Sequence, residues 1–213
     1  MPSTERLLLF ALTATVVIVI PGPSVVFLVS RALANGSRAA VLSVLGNALG
    51  EYVLVVAVAF GIGTIVQESV LAFGFLKVAG GFYLIYLGVR TFQKRKSLAA
   101  AIGTLSTAPC SAGRSFVQGL LVGVTNPKTV VFLAAILPQF VSRGSGWIPA
   151  QIMVLGAVFA AIAVISDTAW VLLAGSFRTW FARSPRRLEL VGGTSGLAIA
   201  AVGTSLLVSG RKN

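Results

Sequence analysis

Histidine is absent from this 213-residue chain, cysteine occurs once, and Asp and Glu together number only five. Each scarcity removes a class of function. A lone Cys110 cannot close a disulfide within the chain, and without histidine the thiolate and imidazole ligands of common metal sites are missing. Charge of either sign is scarce too, at 10% of residues. With so few acids the formal net charge is +12, carried by 17 Lys and Arg. In a soluble protein that balance would point to nucleic acid. Here the basic residues lie between long apolar runs, as in the cytoplasmic loops of membrane proteins, and nucleic-acid binding is set aside.

What is abundant is apolar. Hydrophobic residues make up 56% of the chain and the mean hydropathy is +0.95, far from the averages of soluble domains. The length suits about six membrane helices of roughly 20 residues each and leaves no room for a soluble domain. The expected fold class is therefore an all-α membrane protein, one domain over residues 1–213, seated in the lipid bilayer.

Span one runs from Leu7 to Ser30. Its charged start resembles a signal peptide, but the run is too long and carries Pro21-Gly22-Pro23 where a small-residue cleavage pattern would stand. Span two covers about Ala39–Val66 with Glu51 near its middle and Gly46 and Gly50 on one face, and span three about Leu71–Phe92. Residues 93–115 form a polar, basic loop. Span four, about Phe116–Val141, carries Asn126-Pro127-Lys128; span five, about Ile148–Leu173, carries Asp167; span six, about Leu190–Ser209, is free of charge. Gly119 with Gly123 and Gly192 with Gly196 repeat the close-approach spacing of Gly46 with Gly50.

Eleven basic residues fall on the side of the central loop: Arg31, Arg38, Arg90, Lys94, Arg95, Lys96, Arg114, Arg178, Arg183, Arg186 and Arg187. Four fall on the other: Arg6, Arg143, Arg211 and Lys212. The positive-inside rule then puts the loop in the cytoplasm and both termini outside.

Three markers recur in order. Leu76 to Gly81 resembles Leu188 to Gly193 at an offset of 112, Pro21 precedes Pro127 by 106, and Glu51 precedes Asp167 by 116. The expectation is two three-helix repeats, about 1–92 and 116–213, of opposite membrane orientation because three is odd. The broken helices are one and four. Proline lacks an N–H and clashes with the preceding turn, so both sites interrupt the helical ladder. Gly22 can cap a new half-helix beginning at Pro23, exposing the amides of Ser24, Val25 and Val26; Asn126 can cap one beginning at Pro127, exposing those of Lys128 and Thr129. Two half-helix N-termini facing the membrane centre suit a carboxylate.

The candidate substrate-binding set is thus Pro21, Gly22, Pro23, Ser24, Asn126, Pro127 and Lys128. Glu51 and Asp167 are the acids well inside spans, where a carboxylate is costly unless paired or protonated. Either can hold a substrate ammonium, carry a coupling proton, or do both by competition. A structural ion pair with Lys128 is the plainer alternative, and Asn47 and Thr168 are neighbouring donors. No nucleophile–base pair or histidine-containing metal motif supports an enzyme, and no metal or other cofactor is called for.

Pro21-Gly22-Pro23 in span one, Gly46 and Gly50 before an acid in span two, Gly80-Gly81 with Tyr83, Tyr86 and Gly88 in span three, and Asn126-Pro127-Lys128 in span four resemble the LysE/RhtB family of bacterial amino-acid exporters over nearly the whole chain. The resemblance implies a six-span protein of the bacterial inner membrane that exports amino acids such as threonine, homoserine, leucine or lysine, driven by protons. It does not reach Asp167, which stands on the physical argument for an acid inside a span alone, and it leaves substrate identity and self-association open. Cation or metal-ion efflux and a non-transporting membrane partner protein are the alternatives; two buried acids without histidine are a poor ligand supply for the former.

Overall fold

The computed structural model describes residues 2–62, 70–95, 111–142, 144, 146–176 and 185–208, and among them every regular element is helical. Ser3 starts the first helix, α1 (Thr4–Val19), by accepting the Arg6 amide at 3.4 Å. Pro21-Gly22-Pro23 ends it, and α2 (Pro23–Asn35) resumes at an angle of 55° with Gly22 as N-cap and Pro23 at its first position. Gly36 has φ of 85°, a conformation strained for other residues, and there the chain turns into α3 (Ser37–Ala57), prolonged by a π turn at Val58–Ile62.

α4 spans Val70–Gln93. α5 (Ala112–Thr125) is capped by Ser111 and followed across Asn126 by α6 (Pro127–Val131). That segment continues through a π turn, Phe132–Ile136, and a 3-10 turn, Leu137–Phe140, so the half-span Pro127–Phe140 meets α5 at 44°. Pro138 supplies the reason: it has no N–H for an α-helical bond, and its ring crowds the carbonyl one turn back. α7 covers Ile148–Ser176 and α8 covers Pro185–Val208. The last helix thus starts before the expected Leu190, at a proline suited to a first turn, and its beginning includes the charged Arg186 and Glu189.

Among the described residues, two single helices, Ser37–Gly61 and Ile148–Ser176, are long and apolar enough to cross a membrane, and each bent pair passes the same test as one span. Leu8, Leu12, Phe75, Phe82, Ile165 and Leu197 are exposed, as a lipid-facing surface requires. The expected end of span two at Val66, the loop from Lys96 to Cys110, and Arg143, Arg178, Arg183, Arg211 and Lys212 of the charge count lie outside the described residues.

Glycine seams set two helix pairs at backbone contact. A Cβ on Gly46 would strike the Phe116 carbonyl and one on Gly50 the Leu120 carbonyl, while Gly119 and Gly123 lie in the same way on Ser43 and Asn47. The two Gly-x-x-x-Gly pairs of α3 and α5 therefore face each other. In α8 Gly196 meets Gly88, and Gly203, seven residues on, meets Gly81 of α4; the surroundings of Gly192, the other glycine of the expected pair, lie outside what the structure describes.

Among the described residues, buried apolar side chains form two clusters. One contains Phe10, Val17, Ile18, Val55, Phe132, Phe159 and Ala163, the other Val25, Leu28, Val44, Val171 and Ala174. Along α3 the order is Val44, Asn47, Glu51, Val55, and along α7 it is Ala163, Asp167, Val171. A polar layer is held between two apolar ones, level with both helix breaks.

Candidate functional site

The polar layer is built from the breaks outward. Asn126 caps α6 with its side-chain oxygen, which accepts the Lys128 amide at 3.2 Å. Its Nδ2 donates to Ser24 Oγ of α2 and to Thr129 Oγ1, both at 2.9 Å. Thr129 Oγ1 in turn donates to Glu51 Oε1 at 3.1 Å. One hydrogen-bonded line thus joins the first half-helix, the second break and the middle of α3.

Lys128 is 5% exposed and crosses to the other break, where Nζ donates to the carbonyls of Ile20 at 2.8 Å and Val17 at 3.1 Å. These carbonyls close α1, whose ladder stops at the prolines, so the ammonium both satisfies them and complements the negative end of that helix. Gly22 makes room, since a Cβ there would lie 3.2 Å from Nζ. The structural ion pair considered for Lys128 is not made by direct contact: its hydrogen bonds go to backbone carbonyls, and the carboxylates of the layer act on it only through their charge.

Asp167 is buried on α7 and Oδ2 accepts from Asn47 Nδ2 at 3.2 Å. Asn47 stands one turn before Glu51 on the same face of α3. Two buried atoms of this layer have no hydrogen-bond partner, Glu51 Oε2 and Asn47 Oδ1. Ser24, Glu51, Lys128, Thr129 and Asp167 surround a cavity of about 10 Å³, about the size of one water molecule, whose apolar wall includes Val17, Phe132 and Phe159. The rings of Phe132 and Phe159 stack with centroids 5.3 Å apart.

Of the sequence-derived set, Ser24, Asn126, Lys128, Glu51 and Asp167 come together, Pro21, Gly22, Pro23 and Pro127 shape the backbone beneath them, and Thr168 does not join the cluster. The expected amide cradle is smaller than supposed. The Val26 amide bonds the Gly22 carbonyl at 3.0 Å, because an N-cap carbonyl accepts the first helical bond, and the Lys128 amide is taken by Asn126. The bridging hydroxyl of Thr129 was legible only as a polar residue at the third position of a capped helix, where side chains fold back on the cap. The carbonyls of Val17 and Ile20 carry no side-chain signal at all.

A second, larger cavity of about 670 Å³ lies between α1, residues 136–140 and α8, lined by Thr13, Val17, Ile20, Gln139 and Ser205 among apolar neighbours. Val17 belongs to both cavities. At the far ends of the broken helices, Arg6 donates to the Val141 carbonyl at 2.8 Å, and Arg31 donates to Gln118.

These features define an all-helical, multi-pass membrane protein with a buried ionisable layer at the meeting of two broken helices. Residues 15–210 match the profile of the LysE type translocators, and the chain belongs to that family. It is 34% identical over 202 residues to the homoserine/homoserine lactone efflux protein of Salmonella typhimurium, covering 95% of each chain. It is 33% identical to an uncharacterized membrane protein of Vibrio cholerae over 84% of each chain. A leucine efflux protein of Salmonella choleraesuis is 22% identical over 84% of this chain and 83% of its own. No solved structure matches the chain.

Proposed function

We propose that this protein is a secondary transporter, and not an enzyme, that exports amino acids or close derivatives from the cytoplasm by proton antiport with alternating access. It sits in the bacterial inner membrane as one domain of six spans, the bent pairs counting as one each, with the central loop cytoplasmic and the termini outside. Its halves, about 1–92 and 116–213, are inverted repeats. The seam of Gly81 with Gly203 and Gly88 with Gly196 supports this, since it sets α4 and α8 antiparallel, as the third helices of two oppositely oriented repeats must be. Support for the cargo comes from the efflux proteins of homoserine, its lactone and leucine that the chain resembles.

The observation that carries the reading is the polar layer, where one ammonium, two carboxylates and a hydrogen-bonded line surround a space of about 10 Å³ between two apolar clusters. Such groups inside a span are costly and belong to substrate or proton paths. The substrate carboxylate binds at the half-helix starts after Gly22 and Asn126, assisted by Lys128, and the ammonium binds beside Glu51 and Asp167. The space is too small for an amino acid, so this conformation is closed, and opening separates the tied ends at Arg6–Val141 and Arg31–Gln118 in turn. The cavity behind Val17 is the route on the outer side.

Growth inhibition tests the cargo. In a bacterial strain made sensitive to external amino acids, expression raises the tolerated concentration of L-homoserine, its lactone or L-leucine. Unchanged tolerance to every member of an amino-acid panel, with the protein present in the membrane, would contradict the reading.

A further inference from the structure

Glu51 and Asp167 differ in how their oxygens are committed. The backbone amide of Lys128 can only donate, so the Asn126 oxygen it meets is Oδ1 and both Nδ2 hydrogens point away from it, one to Ser24 and one to Thr129. Thr129 Oγ1 accepts from Asn126, which leaves its own hydrogen for Glu51 Oε1. Glu51 Oε1 is therefore fixed as an acceptor, and Oε2 is left buried with no partner. Asp167 instead has Oδ2 held by the Asn47 amide.

The charges facing this point are few. α6 presents Lys128, α7 presents Asp167, and the broken first span contributes Val17, Ile18, Ser24 and Val25, none of which titrates. Two carboxylates against one ammonium leave the layer one negative charge in excess. A closed, desolvated site does not tolerate that excess, and either one proton or one ammonium removes it.

We infer that Glu51 Oε2 is the exchange position of the transport cycle, taking the substrate ammonium and a single coupling proton in turn, while Asp167 serves as the fixed counter-charge of Lys128. This rests on the proton-antiport reading above. A proton from external water bonds to Oε2 as the substrate ammonium leaves with its own three protons. The loaded carboxyl then lets the empty site close to the water-sized space seen here. Coupling follows from exclusion, since one oxygen cannot hold both, and the exchange is one proton for one amino acid.

The test is proton release on binding, read with an indicator dye in weakly buffered purified protein titrated with the common amino acids and L-homoserine. In the acid range the wild type should release about one proton per amino acid bound, with Kd falling about tenfold per pH unit. Asp167→Asn removes the excess negative charge beside Glu51, so it should bind more weakly and release its proton only at lower pH. Glu51→Gln should bind weakly without release or pH dependence, and Glu51→Asp should restore both. Elution and Tm confirm that each variant is folded. Release that persists in Glu51→Gln, release absent at every pH from an Asp167→Asn protein that still binds, or wild-type binding without release would overturn this assignment while leaving amino-acid transport standing. No wild-type binding at any pH would overturn the transport reading itself, and the assignment with it.

Discussion

Thr129 is the residue on which the two halves of the polar layer depend, because its hydroxyl accepts from Asn126 and donates to Glu51 at once. Thr129→Val keeps the shape and removes both bonds, leaving two buried polar groups short of a partner; the expected destabilisation is about 1–3 kcal/mol, read as a lowered Tm, with at least about tenfold slower transport. Thr129→Ser should restore most of both. Lys128→Met strips the cap from Val17 and Ile20 and removes the positive charge from the layer. It should lower stability by about 1–3 kcal/mol in a chemical or thermal unfolding series and abolish amino-acid binding. The half-helix starts at Pro23 and Pro127 were legible because capping is local: Gly22 and Asn126 adjoin what they cap. The role of Lys128 was not, because its partner Val17 lies 111 residues away and offers only a backbone carbonyl.

Among the elements, α3 and α5 approach so closely that four glycines touch the opposite backbone. Gly50→Leu or Gly119→Leu must push the helices apart, since backbone cannot yield as a flexible side chain does. Each should cost about 1–3 kcal/mol or more and displace Asn47 and Glu51 from their partners. The pair together should cost less than the sum, because once the seam opens the second side chain has room. Gly113→Ala, with nothing within 4 Å of its Cβ, is the control and should change stability by no more than about 0.5 kcal/mol. Melting in detergent measures all four. The spacing of these glycines could be read from the sequence, but not which seams pair, since spacing defines a face and leaves its partner open. Equally local was the unforeseen distortion of Phe132–Phe140, which Pro138 explains.

For the whole molecule, the layered interior explains why the breaks, the acids and the lysine belong to one device. Apolar packing above and below isolates the polar layer, and bends of 55° and 44° bring the two half-helix starts to it. The helices and the intramembrane position of Glu51 and Asp167 follow from hydropathy, whereas the division of labour proposed for the acids needed the donor and acceptor directions around them. Under the proposed mechanism the protein converts a proton gradient into an amino-acid gradient through Glu51. The most direct measurement is uptake by proteoliposomes prepared acid inside. They should accumulate external L-homoserine or L-leucine above its outside concentration, lose that ability with a protonophore, and fail to accumulate when built with folded Glu51→Gln. Accumulation indifferent to the pH gradient, or equal in Glu51→Gln and wild type, would contradict it.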